Sequence, residues 1–308
     1  MSRQVNADGF LMVKRHRLYL GDCFNALKSL KSRSVDLIIS SPPYCMNKAY
    51  ESPEDDVDTF REVHEKIIPE LYRVLKVGGS ICWQTGYHVS PACIVPLDYQ
   101  VYEIFTRETE DKPNPLILRN RIIWTFGHGL NANCRFSGRH ETILWFSKGP
   151  VKRFNLDEIR IPQKYPGKRG YKGENKGKLT GNPLGKNPSD VWDIPNVKAN
   201  HVEKTDHPCQ FPVALPMRLI KALTVSNDYV LDPFMGVGST GVAAEMCGRC
   251  FIGAELSPSY FKTAKGRIQD AIDGIARVRE DVPVAAVDQN SAVARLPEEF
   301  KKAREAKS

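Results

Sequence analysis

DYVLDPFMGVGSTGVAAEMCGRCFIGAEL, residues 228–256, reads as a strand, a glycine turn, a helix and a second strand. Glycines at 236, 238 and 241 follow the apolar strand end, and the alanine-rich TGVAAEMCG continues as a helix. Such glycines permit a tight turn and let a ligand approach the backbone N–H groups of a helix start. Glu255 stands nineteen residues beyond Gly236, at the end of the second strand. A carboxylate there can accept hydrogen bonds from ribose hydroxyls, so the unit reads as a nucleoside-binding βαβ element of an α/β fold.

Asp232-Pro233-Phe234, just before the glycines, separates two nucleoside cofactors. A carboxylate at this strand end repels a pyrophosphate, as in NAD, but suits the ammonium of a methionine moiety. S-adenosylmethionine is therefore the expected cofactor.

Outward from this unit the alternation continues. RLYLGD, VDLIIS, SICWQTG, NRIIWTF and ETILWFSKG read as strands between residues 17 and 150. Asp58–Leu75 places Phe60, Val63, Ile67, Leu71 and Val74 at helical spacing, and Gly78-Gly79 ends that helix. FPVALPMRLIKALT and SYFKTAKGRIQDAIDGIARV read as helices on either side of the glycine turn. The whole predicts a parallel α/β sheet. The pattern fails between Pro150 and about Asp206, where Gly, Pro, Asn and Lys dominate.

The 308 residues carry 44 Lys and Arg against 36 Asp and Glu, a net charge of +8 that suits a polyanionic partner. Residues 151–187 alone hold ten basic side chains against three acidic ones. No run approaches the ~20 apolar residues of a membrane span, and the N-terminus lacks a secretory apolar core and cleavage site. Eight scattered cysteines in a chain of this length predict reduced thiols and a cytoplasmic protein. Cys247-Gly-Arg-Cys250 has no second Cys or His pair at zinc-site spacing, so no metal is expected.

Ser40-Ser41-Pro42-Pro43-Tyr44 ends the strand VDLII, where open α/β sheets place their chemistry. Ser41 Oγ and the Pro42 carbonyl can accept hydrogen bonds from an exocyclic amine and turn its lone pair toward an electrophilic methyl. Pro42-Pro43 stiffens that acceptor pair, and Tyr44 can stack on a planar base, worth roughly 1–3 kcal/mol.

SPPY paired with DPFMGVGSTG, and HPCQFP at 207–212, resembles the amino-group DNA methyltransferases of bacteria and phages over about residues 17–275. The order, with SPPY first and the cofactor motif last, is similar to their permuted β class. The resemblance implies a Rossmann-like S-adenosylmethionine-dependent methyltransferase fold, circularly permuted. Its parts are a catalytic half (1–150), a basic target-recognition insertion (151–206), a cofactor half (207–275) and a C-terminal helix and tail (276–308). Ser41, Pro42, Pro43 and Tyr44 would be catalytic. Asp232, Pro233, Phe234, Gly236 and Gly238 would line the methionine end of the cofactor, with Ser239 and Thr240 at the helix start. Glu255 would take the ribose hydroxyls, and Gln210 and Pro212 would flank the methionine moiety. Asp22 matches an acidic position that contacts the adenine amine, although it also reads as the N-cap of the helix NALKSL.

Lys164, Lys168, Arg169, Tyr171 and Lys172 are the DNA-binding candidates within the insertion. The expected partner is double-stranded DNA, with the target base flipped into the pocket. A separate cognate restriction endonuclease is compatible with the resemblance; the chain itself carries no nuclease motif, and its oligomeric state is left open. In the family, Ser at the first motif position usually accompanies N4 methylation of cytosine, and Asp or Asn accompanies N6 methylation of adenine. Ser41 thus points to cytosine N4, with adenine N6, an RNA substrate, or an inactive DNA-binding protein as alternatives. The source implied is a bacterium or phage, with the protein at the nucleoid.

Overall fold

A computed structural model describes residues 9–44, 57–89, 93–110, 112, 114–127, 129, 131–162 and 169–279. The first hairpin is β1 (Leu11–Val13) and β2 (His16–Leu20), followed by α1 (Cys23–Ser29) and β3 (Val35–Ser40). Next come α2 (Val57–Val74), β4 (Leu75–Thr85), a small hairpin of β5 (Tyr87–Val89) and β6 (Ile94–Pro96), and α3 (Leu97–Thr106). β7 (Ile117–Thr125) and β8 (His140–Ser147) precede the basic segment, within which lie a 3-10 turn at Leu156–Ile159 and β9 (Val191–Asp193). α4 (Ala214–Leu223), β10 (Tyr229–Asp232), α5 (Ser239–Met246), β11 (Cys250–Glu255) and α6 (Pro258–Ile272) complete the described elements.

Nine of these strands form one sheet in the order β1-β2-β11-β10-β3-β4-β8-β7-β9. β2, β11, β10, β3 and β4 run parallel, as the alternation predicts. The expectation of an all-parallel sheet is corrected at β8, which is antiparallel to both β4 and β7. Among the described residues between Thr125 and His140 there is no helix to carry a parallel crossover, and the chain turns back on itself. β9 also corrects the reading of residues 150–206 as patternless, because Val191–Asp193 pairs parallel with β7 and buries Trp192.

Every residue of β3 is buried, which is why VDLIIS shows no polar alternation. α1, α2 and α3 cover one face through Leu27, Ile67, Leu71, Val101 and Phe105; α4, α5 and α6 cover the other through Leu219, Ile220, Val242, Ala264 and Ile268. α2 runs through Pro69, giving up one backbone bond, because Phe60, Ile67, Ile68 and Leu71 bury its apolar stripe. His64, on the same stripe, is buried with Nδ1 on the Phe60 carbonyl, while Trp83 Nε1 donates to its Nε2. Burial holds this imidazole neutral, pushed down to about 4.

The helix read as far as Val278 stops at Ile272. Gly274, at φ +74°, closes it, and residues 276–279 have no regular structure. The rest of the expected C-terminal helix and tail lies outside the described residues, as does Cys45. Among the described residues no helix is long and apolar enough to cross a membrane.

Candidate active site

β3 and β10 are neighbours, with Leu37 opposite Val230 and Ile38 opposite Leu231. Parallel pairing in this register brings SPPY and DPF, almost two hundred residues apart in sequence, to the same carboxyl edge. A direct bond joins them, as Ser40 Oγ donates to Asp232 Oδ1 at 2.6 Å. Thr240 Oγ1 donates to Oδ2 at 2.7 Å, and the Phe234 N–H donates to Oδ1 at 3.1 Å. Three of the roughly four lone-pair positions of the carboxylate are thus engaged within the protein. Asp232 is fully buried, and burial pushes its pKa up to about 6 against the pull of those bonds.

Ser41 follows at the strand end, partly exposed, and shares a 2.7 Å hydrogen bond with the Tyr44 hydroxyl. Pro42 and Tyr44 are buried and Pro43 is exposed. The Tyr44 ring lies against Gly86, where an added Cβ would come 3.5 Å from Tyr44 Cδ2. SPPY is thus tied down by the Ser41–Tyr44 bond and by the packing of the Tyr44 ring.

The glycine turn has the backbone that its sequence demands. Gly236 at φ +53° and Gly238 at φ +80° occupy the left-handed region, and Gly238 caps α5. A Cβ at Gly238 would stand 3.0 Å from Ala264 Cβ, and one at Gly241 only 2.5 Å from Ile268 Cδ1. Gly238→Ala, combining strain with crowding, is expected to cost about 1–3 kcal/mol of stability, read as a lower denaturation midpoint in urea. Glu255 closes the turn by accepting the Gly236 N–H at Oε2 (3.0 Å) and the Ser257 N–H at Oε1 (2.8 Å), and burial raises its pKa.

Several expected cofactor residues also bond neighbouring protein groups. Ser239 Oγ donates to the Phe211 carbonyl at 2.9 Å, tying the HPCQFP segment to α5. Gln210 Nε2 donates to the Glu203 carbonyl and its Oε1 accepts from Thr205, while the Pro212 carbonyl accepts the Leu215 N–H as α4 begins. Asp22, exposed beyond the end of β2, caps α1 through the Phe24 N–H at 2.7 Å. It also lies at the same sheet edge as Glu255, since Leu20 pairs with Glu255 and the Gly21 N–H bonds the Glu255 carbonyl.

His207 opens HPCQFP but is given no role of its own by the sequence, yet its Nε2 would be 3.5 Å from a Cβ at Gly236, and its ring packs edge-on against Tyr260. Burial, aided by Lys204, pushes it down to about 4. Nor does the sequence indicate that Ser40 holds Asp232, because no local signal links residues that far apart.

In the basic segment, Lys164 and Lys168 lie outside the described residues. Arg169 bridges to Leu179 and donates to the Gly177 carbonyl at 2.6 Å, closing a compact turn. Tyr171 at 91% and Lys172 stand exposed on it. Phe136, in the connection between β7 and β8, is also fully exposed. Among the described residues no group of three or more His, Cys, Asp or Glu could hold a metal ion.

A family model described as DNA methylase, of the N6/N4 type, matches residues 35–266. The type II methyltransferase M.BglII of Bacillus subtilis is 44% identical over 254 residues, covering 82% of this chain and 69% of that one. The DNA adenine methyltransferase YhdJ of Escherichia coli K12 is 32% identical, covering 82% of each chain. Among solved structures, a DNA modification methylase of Thermus thermophilus complexed with S-adenosyl-L-methionine superposes with a TM-score of 0.58 at 25% identity. That match covers 84% of this chain and 97% of the other. The cytosine-N4-specific PvuII DNA methyltransferase shares the fold at a TM-score of 0.64 and 20% identity, over 84% of this chain and 92% of its own.

Proposed function

The chain belongs to the N6/N4 family of DNA methylases, and from that premise we propose that it carries a methyl group from S-adenosylmethionine to the exocyclic N4 amine of cytosine in double-stranded DNA. The observation that carries this reading is the Ser40–Asp232 bond, which fixes SPPY beside the glycine turn. The turn fits the cofactor: it brings backbone close without a Cβ at 236 and 238, and it sets the Asp232 carboxyl where a pyrophosphate would be repelled. Asp232, Pro233, Phe234, Gly236 and Gly238 would hold the methionine end. Glu255 would hold the ribose, and Asp22 the adenine. Ser239, Thr240, Gln210 and Pro212 act one step back by fixing the walls. When bound, the cofactor supplies an electrophilic methyl on a sulfonium.

The work left to the protein is orientation and electrostatics. Ser41 Oγ accepts one amine N–H and the Pro42 carbonyl the other, which aims the lone pair away from both. The proton shed on transfer leaves along the Ser41 hydrogen bond to solvent. Tyr44 holds the Ser41 hydroxyl and bounds the pocket into which the base is flipped.

The basic segment would act as the target-recognition region, with Arg169 and Lys172 on phosphates and Tyr171 against bases. Lys164 and Lys168 are assigned there on sequence alone. Arg169→Ala and Lys172→Ala are each expected to weaken binding across all DNA sequences and to reduce the salt slope of log K by about 1. Titrations at several salt concentrations check this. The names of the relatives also suggest a role in a restriction-modification system, with cleavage left to a separate endonuclease.

Cofactor affinity should depend on pH with a definite sign. A cationic methionine moiety favours ionised Asp232, whose free pKa is about 6. Below that value a proton must be displaced on binding, so affinity falls as pH drops from 7 to 5. Calorimetric titration should show this, and Asp232→Asn should bind weakly and with a smaller slope, the remainder belonging to Glu255.

Filter-retained label from a methyl-labelled donor tests the substrate: label on duplex DNA is expected, and label on RNA alone would reject the reading. Adenine N6 stays as the second reading because YhdJ, 32% identical, is named for adenine.

A further inference from the structure

At the carboxyl edge of the sheet, one polar pair has no part in the roles assigned above. Glu141, the second residue of β8, accepts a hydrogen bond at Oε2 from Gln84 Nε2 on the adjoining β4. Gln84 is buried, and its Oε1 has no partner among the described residues. Gly86 follows two residues later, and a Cβ there would touch the Tyr44 ring at 3.5 Å and Glu141 Cγ at 3.9 Å. Glycine leaves that space unfilled, so the Tyr44 ring of SPPY and the Glu141 side chain border one gap. Glu141 keeps some surface open to solvent. Its carboxyl is nevertheless held above the usual carboxylate range by burial, against the opposing pull of Gln84 and Lys198.

We propose that Glu141, held by Gln84, reads the ring edge of the target base: its Oε1–H donates to the ring nitrogen beside the exocyclic amine, while Ser41 and the Pro42 carbonyl take the amine itself. The inference rests on the amine-methylation reading above and holds for either base, since cytosine N3 and adenine N1 are both bare acceptors next to an amine. With Gln84 Nε2–H on Oε2, a proton on this carboxyl would sit on Oε1. Thymine and guanine carry N–H at the corresponding position and meet a donor with a donor. Glu141 is on this account a specificity-determining residue that touches substrate, and Gln84 is a positioning residue.

The test is a cycle that removes each partner of the bond separately and then both. The substrates are duplexes with the natural target base and with its deaza form, 3-deazacytosine or 1-deazaadenine according to the product found. The proteins are wild type, Glu141→Ala and Glu141→Gln. Loss of the ring nitrogen weakens base pairing equally for every protein, so that effect cancels. The deaza base and Glu141→Ala are each expected to lower kcat/KM on the order of tenfold, and the two together by the same order. Factors that multiply to about a hundredfold would overturn the proposal. Glu141→Gln keeps an N–H donor and should retain both activity and discrimination against the deaza base. A folded Gln variant without that discrimination would also overturn it. Cofactor affinity and thermal midpoint, measured in parallel, separate base reading from a fold defect. If wild type methylates neither base in natural DNA, the functional reading itself fails. If it does so and the factors multiply, only the role of Glu141 fails.

Discussion

Ser41→Ala should lower kcat for methyl transfer by roughly 10²–10³, the usual effect of deleting one preorganised polar contact to a reacting group, while S-adenosylmethionine affinity stays within about twofold. Ser41 Oγ bonds the Tyr44 hydroxyl and makes none of the bonds that hold Asp232 or the glycine turn. Its removal therefore strips an acceptor from the amine without touching the cofactor wall. Tyr44 loses a partner as well, so part of the loss comes from a less fixed pocket. Single-turnover rates and equilibrium titration of the cofactor separate the two effects. Equal loss of rate and cofactor affinity would contradict the role given to Ser41.

Asp232→Ala has the opposite profile and the largest effect on the fold. It leaves Ser40 Oγ, Thr240 Oγ1 and the Phe234 N–H without their acceptor in a fully buried place. An orphaned buried polar group costs about 1–3 kcal/mol. The two hydroxyls can turn to other acceptors and the N–H cannot, so a total of about 3 kcal/mol is expected, together with failure to hold the cofactor. Asp232→Asn gives a sharper reading through pH. The folded pKa, about 6, lies above the unfolded value of about 3.9. The unfolded chain therefore binds fewer protons between these values, and the contribution of Asp232 to stability falls as pH rises from about 4 to about 6, by at most about 3 kcal/mol. Asparagine lacks this slope. His64, pushed down to about 4, adds the reverse slope to both proteins and cancels in their difference. Urea midpoints at pH 4.5 and 7 supply the comparison.

Much of this is legible in the sequence, for identifiable reasons. Residues 37–39 in VDLIIS and 230–231 in DYVLD are consecutive apolar positions because these strand segments are buried on both faces. Gly236, Gly238 and Gly241 announce a turn and a tight helix contact that only glycine allows. The sense of β8 is not legible because ETILWFSKG looks the same in either direction; it shows only in the antiparallel pairing with β4 and β7. Val191–Asp193 is hidden in a Gly- and Lys-rich stretch because three residues carry too little periodicity to stand out. The site is legible as motifs but not as bonds. Ser40 on Asp232, Ser239 on Phe211 and Gln84 on Glu141 are contacts made by strand register and helix docking. The residues involved are ordinary in local sequence. Asp22 is readable both as a helix cap and as a cofactor contact, and the structure displays the cap.

The central claim is that Ser41 and the glycine turn form one amine-methylating site. Unmethylated duplex DNA incubated with the protein and S-adenosylmethionine, digested to nucleosides and analysed by mass spectrometry, tests it most directly. The account predicts N4-methylcytosine from wild type and almost none from Ser41→Ala. N6-methyladenine alone would contradict the choice of cytosine, and no methylated nucleoside from varied duplexes would contradict the account as a whole.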